Sequence, residues 1–190
     1  MAQTLDLTGT LLISTPAMGD PRFAHSVIYL CAHSDEGAFG LVLNRPLKRV
    51  GLADVLDQVG IEGGAALDRR RVLAGGPVET QRGFVLHDGA LVEGDTSGQT
   101  LPDGLVLSAS TDVLKSIARG EGPRAWLLAL GYAGWGPGQL ESEIGQNAWL
   151  TCNAQRGLIF DPAPGEHQWN DALRSMGVDP LSLSAVAGRA

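Results

Sequence analysis

The sequence predicts an α+β fold, a mixed and largely antiparallel sheet with short flanking helices, formed by one domain of 190 residues. Three observations point there. Apolar runs of strand length follow one another across short turn-rich segments, as in hairpins. Stretches with helical periodicity are short and scattered, without the regular alternation of strand and helix that builds a doubly wound parallel sheet. Apolar residues make up 44% of the chain and charged residues 18%, a balance that supports a sizeable buried core.

Taken in order, Gly9 to Ser14 has the apolar and β-branched content of a strand, and Pro16 stops it. Ser26 to Ala32 is nearly all apolar, which predicts a strand buried on both faces. The turn formers His33 to Gly37 connect it to a third strand, Gly40 to Asn44, giving an antiparallel hairpin closed by Arg45-Pro46. Leu52, Val55, Leu56 and Val59 fall at i, i+3, i+4 and i+7, a short amphipathic helix ended by Gly60. Val72 to Pro77 and Gly83 to His87 read as a second hairpin, and Asp88 to Asp103 as a long surface excursion. Leu105 to Ser108 is a strand. Ser110 then caps a helix lined by Val113, Leu114, Ile117 and Ala118.

The stretch from Ala125 to Cys152 organises the rest. Ala125 to Leu130 reads as a strand, Gly131 to Gly138 as a glycine-rich turn, and the segment after Pro137 as a short helix with Leu140 and Ile144 on one face. Gln139 and Glu143 share a neighbouring face, and Asn147 to Cys152 is a further strand. Arg156 to Phe160 reads as a last strand, and Trp169, Leu173 and Met176 mark a C-terminal helix stopped at Gly177.

Charge and composition narrow the function. A net charge of −7 opposes wrapping a polyanion, so direct nucleic-acid binding is disfavoured, and the run Arg69-Arg70-Arg71 reads as a solvated loop. Cys31 and Cys152 lie in apolar runs without metal-ligand spacing, and neither a metal nor a cofactor is expected. The first residues lack a basic and then apolar signal pattern, and no window approaches a membrane span, so the expected location is cytoplasmic. The templates for a nucleophile elbow, a phosphate loop and a zinc helix are absent.

Five separated motifs carry a resemblance. Thr15-Pro-Ala-Met-Gly-Asp-Pro21, Gly40-Leu-Val-Leu-Asn-Arg-Pro46, Gly75-Gly-Pro-Val78, Arg82-Gly-Phe-Val-Leu-His87 and Gly131-Tyr-Ala-Gly-Trp135 with Gln139-Leu-Glu141 resemble, in order, those of the AlgH family, also called UPF0301 or YqgE. The resemblance covers Leu7 to about Asp161 and leaves 162–190 as a helical tail without a motif. It implies a bacterial cytosolic protein with a sheet curled into a partial barrel. It also implies a regulator, expected here to act indirectly and not by touching DNA.

Asn44, Arg45, Arg82, His87, Trp135 and Gln139 are the candidate binding residues. Arg45 follows a buried strand and precedes a rigid proline, a setting for a bidentate contact with an anion or for an ion pair with Asp20 or Glu143. Tyr132, Trp135 and Trp149 read as core aromatics before ligand-stacking ones. The expected function is a non-enzymatic regulatory or binding module acting through a partner protein or a small anionic ligand. The alternative is a hydrolase in which His87 serves as base to a serine such as Ser26 or Ser108.

Overall fold

The computed structural model describes residues 5–67 and 69–187. Its strands are β1 (Thr10–Ser14), β2 (Val27–Ser34), β3 (Gly37–Val42), β4 (Pro46–Gly51), β5 (Arg71–Ala74), β6 (Val78–Asp88), β7 (Gln99–Leu101), β8 (Leu105–Ser108), β9 (Trp126–Trp135) and β10 (Trp149–Asn153). The helices are α1 (Leu52–Gln58), α2 (Thr111–Ala118), α3 (Gln139–Gly145), α4 (Arg156–Ile159), α5 (His167–Ser175) and α6 (Pro180–Ala187). The main path of the sheet runs β10-β1-β2-β3-β9-β6-β8-β7 and curls into a half-barrel. β5 joins it as a parallel neighbour of β9 and carries β4 on its other side.

Strand alternation sorts the apolar residues onto two faces. On the inner face, Leu11, Ile13, Val27, Tyr29, Leu41, Leu43, Phe84, Leu86, Leu127 and Ala129 form one cluster, which Leu158 and Ile159 of α4 and Trp169 and Leu173 of α5 close. On the outer face, α1 and α2 cover Val72, Val85, Trp126 and Leu128. Leu140 of α3 covers Leu12, Ile28, Leu30 and Val42 on the same side. Both faces of β2 are therefore buried, as its unbroken apolar run predicts. Ser110 accepts a hydrogen bond from Asp112 N–H at 3.0 Å and caps α2 as predicted.

β9 changes partner midway. Its first half lies between β5 and β6, with Ala129 opposite both Leu73 and Phe84, and its second half pairs with β3, with Trp135 opposite Ala38. The switch occurs at Gly131, whose φ of +75° breaks the regular pleat. There Gly75 joins the two halves: its N–H donates to Leu130 O at 2.8 Å and its carbonyl accepts from Val42 N–H at 2.8 Å. The backbones are so close that a Cβ on Gly76 would fall on the Tyr132 carbonyl, and one on Gly131 would lie 2.5 Å from Gly76 O. Glycine is needed at both positions because main chain touches main chain.

Four sequence expectations are corrected. The segment from Gly131 is not a turn but the second half of β9, because its glycines admit a neighbouring backbone instead of reversing the chain; the turn is confined to 136–138, and the helix starts at Gln139. Residues 72–77 and 83–87 do not pair with each other, since β9 lies between β5 and β6. Arg156 to Phe160 is helical through Ile159, its apolar residues packing on α5 and the inner core. The excursion from Asp88 to Asp103 contains β7, which pairs with β8 and buries Leu101.

Asp88 ties three elements together at the end of β6. Its carboxylate accepts from Ala125 N–H at 3.0 Å, just before β9, and from Arg156 Nη2 of α4 at 2.6 Å. The Ala125 N–H foremost, and Arg156 after it, hold its pKa below the ordinary carboxylate value.

Two outcomes follow for stability. Gly76→Ala should lose about 3 kcal/mol or more, since the clash is with backbone that no side-chain rotation relieves, and a urea denaturation midpoint measures it. Asp88→Asn should be less stable than the parent by about 1 kcal/mol at pH 7. Because the folded carboxyl has the lower pKa, its stabilising effect is full above the unfolded value of about 4 and is lost as pH falls through the folded value. The parent and variant midpoints should therefore converge in acid.

Candidate functional site

The six candidate residues occupy four places. Asn44 and Arg45 leave the end of β3 and hold the loop before β2. The Asn44 amide accepts from Val27 N–H at 3.0 Å and donates to His25 O at 2.8 Å, and the side chain is buried. Arg45 Nη2 donates to Ala24 O and, at 3.3 Å, to Ser26 Oγ. The carboxylates considered as its partners are engaged elsewhere, Asp20 with Arg22 at 2.7 Å and Glu143 with two indoles. The loop they clamp holds His25 at φ +52°, its ring stacked on Trp169 at 4.3 Å and its Nδ1 2.8 Å from Glu166.

Trp135 and Gln139 meet at Glu143. One Glu143 oxygen accepts from Trp135 Nε1 at 3.0 Å and Trp149 Nε1 at 2.7 Å, and the other from Gln139 Nε2 at 2.9 Å. Gln139 Oε1 also accepts from Gly136 N–H at 3.0 Å, so the turn before α3 already has an internal partner for that donor. The four-residue spacing of Gln139 and Glu143 on one helical face is what brings them together.

His87 is fully buried. Its Nδ1 lies 2.9 Å from Asp88 O, to which it donates, and Nε2 has no partner in the described structure. Neither serine considered with it reaches it: Ser26 Oγ accepts from Arg45, and Ser108 Oγ accepts from Ser110 N–H at 3.2 Å.

Arg82 lines an open cavity. It stands on β6 two residues before Phe84, so both side chains leave the same face of the strand. Its guanidinium lies 5.2 Å from the centre of the Phe84 ring and pairs with exposed Glu79 at 3.3 Å. The cavity is a cleft of about 340 Å³ at the inner face of the half-barrel. Phe39 of β3, Phe84 and Tyr132 of β9 wall it, their ring centres 4.7 to 5.9 Å apart, and Ser97 and Gln99 add polar groups. Phe39 and Tyr132 are half-buried and present ring surface to the opening. The Tyr132 hydroxyl and the Gln99 amide make no hydrogen bond to the described residues, so they are available to a ligand.

The sequence reading did not single out Phe39, Ser97 or Gln99, and took Tyr132 for a core aromatic. Two signals for the cleft were present: the two-residue spacing of Arg82 and Phe84 on a strand, and their place in one motif. Among the described residues, no group of three or more histidine, cysteine or acidic side chains is placed to hold a metal ion, and Cys31 and Cys152 are free thiols. No described helix is long and apolar enough to cross a membrane.

Known proteins are similar to this chain along its full length. A UPF0301 protein of Paracoccus denitrificans is 51% identical over 191 residues, covering all of both chains. A UPF0301 protein of Ruegeria pomeroyi is 48% identical over 187 residues, covering 98% of this chain and all of the relative. The solution structure of the AlgH protein from Pseudomonas aeruginosa matches with a TM-score of 0.78 and 44% identity over the whole of both chains. A Corynebacterium diphtheriae protein at 24% identity and a TM-score of 0.70, covering 98% and 94%, shares the fold. The AlgH-like family model matches residues 11–181. This chain belongs to the AlgH-like, UPF0301 family.

Proposed function

We propose that the protein is a non-enzymatic cytosolic binding module whose Arg82 cleft takes a small anionic ligand with a flat ring. Any effect on transcription then runs through a partner protein that responds to the bound state, not through direct contact with DNA. The observation that supports this reading is an arginine at the rim of a cleft walled by three mutually packed aromatics. Its volume, about 340 Å³, falls within the usual range for small-molecule sites, which often lie in the mouths of barrels.

The chemistry follows from the walls. Phe39 and Tyr132 offer faces on which a ring can stack. Arg82 supplies a fork of donors suited to a carboxylate or phosphate, and its present partner, Glu79, is exposed and weakly held. The Tyr132 hydroxyl and the Gln99 amide fix orientation. Asn44, Arg45, Trp135 and Gln139 act at a distance, by holding the loop before β2 and the junction of β9 with α3 in place.

Calorimetric titration of the full chain with a panel of aromatic carboxylates and aromatic phosphates tests this reading. At least one should bind, and Arg82→Gln should weaken it about tenfold, the equivalent of ~1.4 kcal/mol. Tyr132→Leu should weaken ring-bearing ligands and leave acetate unaffected. Absence of binding across the panel, or equal binding by Arg82→Gln, would refute the proposal.

A further inference from the structure

A groove lined by five cations lies between β4 and β5, away from the Arg82 cleft. The ladder pairs Pro46 with Leu73 and Gly51 with Arg71, so Leu47, Lys48, Arg49 and Val50 stand opposite Val72 alone. Such a bulge bends the strand out of the ladder, and an open groove of about 470 Å³ lies there. Lys48 and Arg49 line one side, and Arg69, Arg70 and Arg71 the other. All five are exposed.

Their lack of a carboxylate partner sets them apart from most of the other described cations, Arg45 and Arg124 being the two that share it singly. Arg22, Arg82, Lys115, Arg119, Arg156 and Arg174 each pair with a carboxylate. Among the described residues, none of the five groove cations does. Arg70 is instead held against the Trp126 ring, 4.7 Å from its centre, which leaves the edge of its guanidinium free to donate. Concentrating five cations that no described carboxylate pairs with in one concavity raises the local potential in a protein whose net charge is −7, and which would carry −12 without them.

We propose that this groove binds a compact oligophosphate, such as a free inorganic chain or the phosphate tail of a nucleotide. The forked donors of the arginines match phosphate oxygens, and five cations offset the three to four charges that such a chain carries. A nucleic-acid duplex is a poorer fit, because its charges continue past the groove onto an acidic surface. The site shares no residue with the Arg82 cleft and does not depend on its function.

Calorimetric titration of the full chain with tripolyphosphate and, separately, with a nucleoside triphosphate tests the assignment. Both should bind, and raising salt from 50 to 200 mM should weaken binding several-fold. Equal affinities would identify the phosphate chain as the recognised group, and a tighter triphosphate would add a contact to the nucleoside; either result supports the site. The double variant Arg69→Gln/Arg71→Gln should lose at least tenfold in affinity for both, as should Lys48→Gln/Arg49→Gln, while Arg119→Gln retains parental affinity. Thermal melting confirms that each variant is folded. No binding of either probe, unchanged binding by both double variants, or tighter binding of a DNA duplex or an acidic peptide than of tripolyphosphate would overturn the proposal.

Discussion

The contact on which the architecture rests is the crossing of two backbones at Gly75–Gly76 and Gly131. A strand can accept one hydrogen-bonded neighbour on each edge, yet β9 has three, and it serves them by giving up β5 for β3 at Gly131. Gly75 fills the gap left at the exchange, donating to Leu130 and accepting from Val42. Side chains at these positions would separate the strands by more than a hydrogen bond can span. The curl of the sheet, and with it the distance between Phe39 on β3 and Phe84 on β6, is therefore set by three residues with no side chain to contribute.

The aromatic cleft inherits its shape from that crossing. Tyr132 is the residue after Gly131, and its ring meets Phe39 from one half of the sheet and Phe84 from the other. The polar clamps lie farther out. Glu143 gathers two indoles and an amide beside α3, and Asn44 with Arg45 fastens the loop before β2. A buried amide or half-buried carboxylate with its bonds satisfied favours one arrangement over its alternatives, since any other leaves polar atoms without partners. These clamps use some of the most distinctive residues of the chain for holding, which leaves Arg82 as the distinctive residue that faces an opening.

How much of this was legible depended on whether the cause lay nearby in sequence. The helix at Leu52, Val55 and Leu56, the Ser110 cap and the Gln139–Glu143 pair are local, and each was readable from spacing. The hairpin of β2 and β3 was readable because a short turn joins two apolar runs. Gly131 was not, because glycine permits both a reversal and a close approach, and only the arrival of Gly75 and Gly76 decides between them. The run Arg156 to Phe160 was too short for periodicity to separate helix from strand. Within the site, Arg82 was a candidate through the motif it shares with His87, but Phe39 reaches the cleft through a strand pairing that no local pattern encodes. The exposed arginines at 69–71 became informative only once the bulge in β4 placed Lys48 and Arg49 across from them.

β9 also dictates an order of events during synthesis. Its partners β3, β5 and β6 all precede it in the chain, so one edge of each stays unpaired until residue 135 has left the ribosome. A nascent chain carrying those open edges is exposed to pairing with other chains. Closure then joins segments far apart in sequence, which slows folding relative to a protein of local contacts. The late strand is thus the step at which translation, chaperone capture and aggregation compete.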